Sequence, residues 1–448
     1  MAVNRRSFIR YASLAAAGNG LALRPFGALN ALAQSTSPGY KALVCVFLFG
    51  GNDANNTIIP FDTAGYASYS AVRNGNLGIA QSSLLPLTPL PNFALNPSLP
   101  DVQALFNSGN VAVVANVGTL MEPTTKAQYQ AGTDLPSNLF SHPDQQFEWQ
   151  NASQSGATPT GWAGRIADQL SAAYNTNAQI PMITSVSGDT LFCNGTSTTP
   201  VSVSPGNLGG AQCSEGTTEC GAQLVTAQAL LGFDSGLTLV QADNTITSNA
   251  YNYAKTLSAA VQSVSPLKTV FPTGNPLASQ LQQVAQIIQV QAALGVSRQI
   301  FFCGVGNFDT HSNQLTLQNN LLAALSPALG AFYNATVELG VQNSVTTFTM
   351  SDFSRTFQPN SNTGSDHAWG SHHFVMGGAV KGGKMYGTFP TLALGGPDDS
   401  GSNGRWLPSI SSVQYAATLA SWFGVTAGQM ATIFPNISAF SATNLGFV

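Results

Sequence analysis

Charge is what this sequence has least of. Asp, Glu, Lys and Arg make up 8% of the 448 residues, where a soluble globular domain usually carries ~25%. The net charge of −4, with no basic cluster, excludes the electrostatic footprint of a nucleic-acid binder. Long apolar runs are missing too. None approaches the ~18 residues that a helix needs to cross a membrane, so no stable membrane span is expected. The chain has five cysteines and no Cys-x-x-Cys, which argues against a thiolate zinc site. Histidine is equally scarce, five in all, and three of them fall within Asp366-His367-Ala-Trp-Gly-Ser-His372-His373.

The first residues read as an address. Asn4-Arg5-Arg6-Ser7-Phe8-Ile9-Arg10 is a twin-arginine motif, a weakly apolar stretch follows to Leu32, and Ala31-Leu32-Ala33 supplies a small-residue cleavage site. The order of these parts predicts a signal over 1–33. The translocase would be an export partner, and the mature chain 34–448 would be periplasmic or secreted. Cys213 and Cys220 flank a Ser-Glu-Gly-Thr-Thr-Glu loop and are expected to pair in an oxidising compartment, with Cys193 free or competing for one of them. Cys45 and Cys303 sit in apolar runs and read as buried thiols.

Beyond the leader, continuous apolar segments at 41–49, 111–117, 181–186, 298–305 and 345–350 predict strands buried on both faces, as in a parallel sheet. Helical stretches are expected at 100–106, 145–150, 162–174, 246–263, 276–296, 313–339 (one helix or two about Pro327) and 411–423. Strands alternating with helices predict an α/β chain with a mainly parallel sheet and helices on both faces. Residues 189–245 are rich in Gly, Ser and Thr with little periodicity and read as an insertion in the single domain 34–448. Residues 374–389 read as a hairpin.

Several of these strands run into acids. Asp53 follows Gly50-Gly51, Asp309-Thr310-His311 follows the 298–305 run, and Asp352 follows the 345–350 run, with Asp366-His367 on the next loop. Parallel strands deliver such termini to one edge, where open α/β sheets bind ligands. Each acid has a plainer reading as a turn former or helix cap. Of His372 and His373, a strand would turn only one toward the site. Carboxylate oxygens with imidazole nitrogens suit Zn, Mn or Fe better than Ca. Two ions ~4 Å apart would clamp both oxygens of a displacement.

The leader, Phe49-Gly-Gly-Asn-Asp53-Ala-Asn-Asn56-Thr57, Ser141-His142, Gly161-Trp162-Ala-Gly164-Arg165, Phe308-Asp309-Thr-His311, Ser351-Asp352-Phe-Ser-Arg355-Thr356, the Asp366–His373 stretch and Tyr415–Val425 together resemble the exported family catalogued as domain of unknown function 1501. That family is remotely similar to the alkaline phosphatase and sulfatase superfamily. The resemblance implies an alkaline-phosphatase-like three-layer α/β/α fold and a metal-dependent hydrolase acting on small-molecule or polymeric phosphate or sulfate esters. It implies a divalent cofactor, two ions with Zn or Mn favoured and Ca or Fe compatible. By position, Asp53 resembles the superfamily's first metal-binding Asp. Asp309 and His311 resemble its Asp-x-x-x-His element, shortened here, and Asp366-His367 its Asp-His pair. His372 or His373 would replace its final His. Ser141, ahead of an expected helix, takes the nucleophile's place, with Thr57 and Thr119 as alternatives, and Arg355 is expected to steady the transferring anion. The Cys-x-Pro-x-Arg signature is absent, which argues against a formylglycine sulfatase. An exported binding or assembly protein without turnover, or a metal oxidoreductase, are the alternative expectations.

Overall fold

The computed structural model describes residues 39–153, 159–206, 208, 219–234 and 236–448. The expected leader and Cys213, and with it the expected Cys213–Cys220 pair, lie outside the described residues. Cys45, Cys193 and Cys303 are buried free thiols.

The strands are β1 (Lys41–Leu48), β2 (Ile58–Pro60), β3 (Leu85–Pro86), β4 (Phe93–Leu95), β5 (Val111–Gly118), β6 (Ile183–Ser185), β7 (Val201–Ser202), β8 (Arg298–Val305), β9 (Val345–Ser351), β10 (Ser371–Met376), β11 (Met385–Tyr386) and β12 (Ile410–Ser411). The helices are α1 (Thr63–Arg73), α2 (Pro100–Asn107), α3 (Lys126–Ala131), α4 (His142–Asn151), α5 (Trp162–Tyr174), α6 (Glu219–Leu231), α7 (Thr238–Gln262), α8 (Pro276–Gln289), α9 (Gln314–Glu338), α10 (Ser412–Phe423) and α11 (Ala427–Ile433).

The main sheet runs β11-β5-β10-β9-β1-β8-β6-β7, with β12 also on β5. All its pairings are parallel except those of β10, which is antiparallel to both β5 and β9. Alternation along β1 explains the apolar run. Ala42, Val44, Val46 and Leu48 face one core with α2, α8 and α9. Leu43, Cys45 and Phe47 face the other with α4, α5, α10 and α11. Each large apolar side chain buried this way contributes ~1.5–3 kcal/mol, and the result is a three-layer α/β/α sandwich around a mainly parallel sheet.

Two expectations change, and of the alternatives for 313–339 the single helix is the one present. Residues 374–389 form no hairpin: β10 and β11 both pair with β5 and not with each other. The helix expected at 246–263 begins at Thr238 and follows a further helix, α6. Pro327 lies inside one continuous helix, α9.

His372 and His373 are also corrected, because β10 carries both into the protein interior. The His372 Nδ1 accepts from the Asn116 N–H at 2.9 Å, and its ring lies against Phe389. The His373 ring packs between Trp149 and Tyr415. Alternation puts them on opposite faces as expected, but both faces are covered here.

Burial drives both imidazole pKa values down to about 3 from the usual 6.5. Between those values the unfolded chain takes up protons that the folded chain refuses. The stability present above the unfolded value is therefore lost as pH falls. At pH 5 the loss is on the order of 2 kcal/mol per ring. His373→Phe keeps a ring between Trp149 and Tyr415, so urea unfolding from about pH 7 to about pH 5 should show a slope shallower than wild type by roughly that amount. An unchanged slope would contradict a buried neutral His373.

Candidate metal centre

The site forms where β1, β8 and β9 end together. Gly50 makes this possible. Its φ is +111°, and a Cβ on it would stand 2.4 Å from the Asp309 backbone nitrogen. Gly51, at φ +81°, has its α-carbon against the Phe353 ring. The loop leaving β1 thus passes directly between the loops leaving β8 and β9. The Gly50 N–H donates to Asp352 Oδ1 at 3.1 Å, and the Asn52 N–H to Ser351 Oγ at 2.9 Å.

Asp309 is the focus. Its Oδ1 lies 3.0 Å from His311 Nε2, 3.4 Å from His142 Nε2 and 3.5 Å from His367 Nε2. The other nitrogen of each ring is anchored. His142 Nδ1 meets Asp352 Oδ2 at 2.7 Å, His367 Nδ1 donates to the Phe140 carbonyl at 2.6 Å, and His311 Nδ1 faces Asp366 Oδ1 at 3.3 Å. The Phe140 carbonyl can only accept, so the His367 proton sits on Nδ1 and its Nε2 carries a bare lone pair. His311 Nε2 lies 2.9 Å from His367 Nε2, close enough for the two nitrogens to share a proton or to flank a metal cation. His142 Nε2 is buried with no hydrogen-bond partner among the described residues.

These features fit a metal. The donor atoms of His142, Asp309 and His367 lie within 4.8 Å of one another. Ligands at ~2.0–2.2 Å from one ion stand ~3.0–3.5 Å apart, close to the separations around Asp309 Oδ1. Among the described residues this is one group, whereas two ions were expected.

The electrostatics follow from the same contacts. The hydrogen bond that His142 donates to Asp352 chiefly raises the His142 pKa, against its partial burial. Burial chiefly lowers that of His367. For Asp309, burial would raise the pKa, but the Arg355 hydrogen bond and charge outweigh it and hold the carboxyl below its usual range.

Other expected site residues stand elsewhere or act differently. Asp352 is fully buried and braces His142, with Gln146 Nε2 also on its Oδ2 at 2.8 Å. Arg355 is fully buried and does not face an open anion site: Nη1 bonds Asp309 Oδ1 at 2.7 Å and Nη2 the Ser365 carbonyl. Asp53 does not join the cluster. Its carboxylate accepts from Arg73 and Gln314 and caps the turn at Asn55. Ser141 is the N-cap residue of α4, and its hydroxyl donates to Asp144. Thr57 and Thr119 are buried, their hydroxyls donating to the Asp53 carbonyl and to Gln145. His142 was not among the ligands expected from the sequence, although it follows Ser141 ahead of an expected helix. Nothing local in the sequence signalled the Phe140 carbonyl or Gln146.

The chain belongs to the family described as protein of unknown function (DUF1501), whose model matches residues 40–400. No curated protein matches the sequence. Among solved structures, it is similar to the lipoteichoic acid synthase LtaP from Listeria monocytogenes, at 8% identity over 90% of this chain and 78% of that one, TM-score 0.36. It is also similar to a protein in the alkaline phosphatase superfamily from Vibrio parahaemolyticus, at 12% identity over 89% and 74%, TM-score 0.34. A sulfatase from Pseudoalteromonas sp. matches at 8% identity over 82% and 70%, TM-score 0.33. These likenesses are remote.

Asp53→Ala would strand a buried guanidinium and is expected to cost about 3–5 kcal/mol in chelator-treated protein. The double variant Asp53→Leu, Arg73→Met should recover part of that loss in denaturant unfolding. A single variant that unfolds like wild type without metal would return Asp53 to the ligand set.

Proposed function

We propose that this chain is an exported, metal-dependent hydrolase of phosphate or sulfate esters, with one divalent cation held by His142, Asp309 and His367 and by His311 as a fourth donor. The observation that carries the reading is the convergence of three anchored imidazoles on Asp309 Oδ1. A cation bound there would act as a Lewis acid on a phosphoryl or sulfuryl oxygen.

The chain's own residues supply the rest. Asp352, the Phe140 carbonyl and Asp366 hold the three rings in register. Arg355 buttresses Asp309 from behind, and its fixed positive charge beside the carboxylate disfavours a second cation. Helix α4 begins at His142 itself, so an anionic ester beside that ring would face the positive end of the helix and its first-turn N–H groups. Ser141 is the candidate nucleophile, with Asp144 accepting its proton. Export rests on Arg5-Arg6 and the residues that follow them.

One observation favours a second reading. Two histidines and one carboxylate form a ligand set that also suits redox iron, so a metal oxidoreductase is the rival.

Elemental analysis of the protein from its native compartment is expected to find about one Zn or Mn per chain, lost in His142→Ala and His367→Ala. Chelated protein resupplied with Zn, Mn or Ca should hydrolyse p-nitrophenyl phosphate, bis-p-nitrophenyl phosphate or p-nitrophenyl sulfate, and Ser141→Ala should lower that rate by ~100-fold or more. Metal without hydrolysis on any of these esters would sink the hydrolase reading, and iron as the native metal would favour the rival. Arg5→Lys with Arg6→Lys should leave the protein in the cytoplasm.

A further inference from the structure

A cavity of about 590 Å³ lies away from the metal centre, at the outer edge of the sheet. Its walls are the end of α5, residues 178–182 leading into β6, the segment 197–202 that contains β7, and α7 residues 246–254. The metal centre lies past the end of β8, whereas this cavity opens before the start of β6, a strand parallel to β8. The two therefore occupy opposite edges of the sheet. The volume is that of a small-molecule site (~300–1,000 Å³).

The lining has two properties. First, none of its described lining residues is Asp, Glu, Lys, Arg or His, so these offer nothing to neutralise a charged ligand. Second, most of its polar side chains are unengaged, Asn175 being an exception that bonds the backbone of Ser297 and Arg298. Ser171, Thr199, Ser202, Asn249, Tyr251 and Tyr253 make no side-chain hydrogen bond within the described residues, in contrast to Ser197 and Thr198, which are tied to Asp168. Hydroxyl and amide groups thus stand free on three walls, beside an apolar floor of Ile180, Met182 and Val201 and two phenol rings. Groups that both donate and accept, set next to apolar and aromatic faces, match a ligand whose hydroxyls ring its edge and whose C–H groups form its faces.

We infer that this cavity binds an uncharged, hydroxyl-rich ligand, a short stretch of neutral oligosaccharide. The ligand's hydroxyls exchange hydrogen bonds with the unengaged Ser, Thr and Asn side chains, and a sugar face lies on Tyr251 or Tyr253. The site makes no use of the cation.

Isothermal titration of the full chain with maltohexaose, cellohexaose and the hexamer of N-acetylglucosamine tests this, with N-phenyl-1-naphthylamine as an apolar probe. At least one of the neutral sugars should bind. Tyr251→Ala should weaken that binding about tenfold or more. Ala250→Trp, which fills the cavity from an exposed helix position, should abolish it. His142→Ala should leave it unchanged. Failure of all three sugars, capture of the apolar probe alone, or sugar binding that survives Ala250→Trp would each overturn the inference.

Discussion

The buried ion pair between Asp53 and Arg73 is the contact on which the upper edge of this fold depends. Both side chains are fully shielded from water. Arg73 closes α1, and its guanidinium also donates to the carbonyls of Thr356 and Phe357 beyond β9. Asp53 takes a further hydrogen bond from Gln314 at the start of α9. One pair therefore ties together the exits of β1 and β9 and the starts of two helical stretches. Such a pair adds little net stability relative to an apolar replacement, but losing one member leaves a charge in a medium that cannot solvate it. Its effect is one of placement. The loops after β1 and β9 are held where Gly50 can pass behind Asp309.

This arrangement also decides how the acids at the sheet edge divide their tasks. Asp53 is neutralised by a permanent cation, so it has little left to offer a metal. Asp352 is buried, but its partners are Gly50 N–H, Gln146 and His142, so its charge is transmitted to an imidazole. Asp309 faces solvent and gathers three rings. Asp366, also partly exposed, steadies His311. Four carboxylates that look alike as strand-end acids thus have four environments, and the environment sets the chemistry of each.

The sheet was legible because burial on both faces leaves a compositional trace. The runs at 41–49, 111–117, 298–305 and 345–350 need no partner to be recognised, and they match β1, β5, β8 and β9 within a residue or two. The edge at which the site forms was legible for the same reason, since parallel strands share one C-terminal end. What escaped were facts of pairing over long sequence distances. Arg73 lies on an amphipathic surface helix and has no local mark of its bond to Asp53. The His372-His373 pair looks like a ligand pair, and only the covering of β10 by Trp149 and Tyr415 on one side and Phe389 on the other removes it. His142 was undervalued because its neighbours in sequence are ordinary helix-start residues. Its importance comes from Asp352, which is distant along the chain.

The three imidazoles show how far the fold alone arranges a candidate metal site. Each ring is held at Nδ1 by an oxygen from a different part of the fold: a buried side chain after β9, a backbone carbonyl before α4, and a loop carboxylate. Neither His142 nor His367 can turn away without breaking its Nδ1 hydrogen bond. The apposed His311 and His367 nitrogens, at 2.9 Å, are therefore kept side by side by the rest of the structure. The energy that fixes them comes from the sheet edge and the buried pairs beneath it. A cation entering here would find its donor atoms already gathered and would need little rearrangement of the protein.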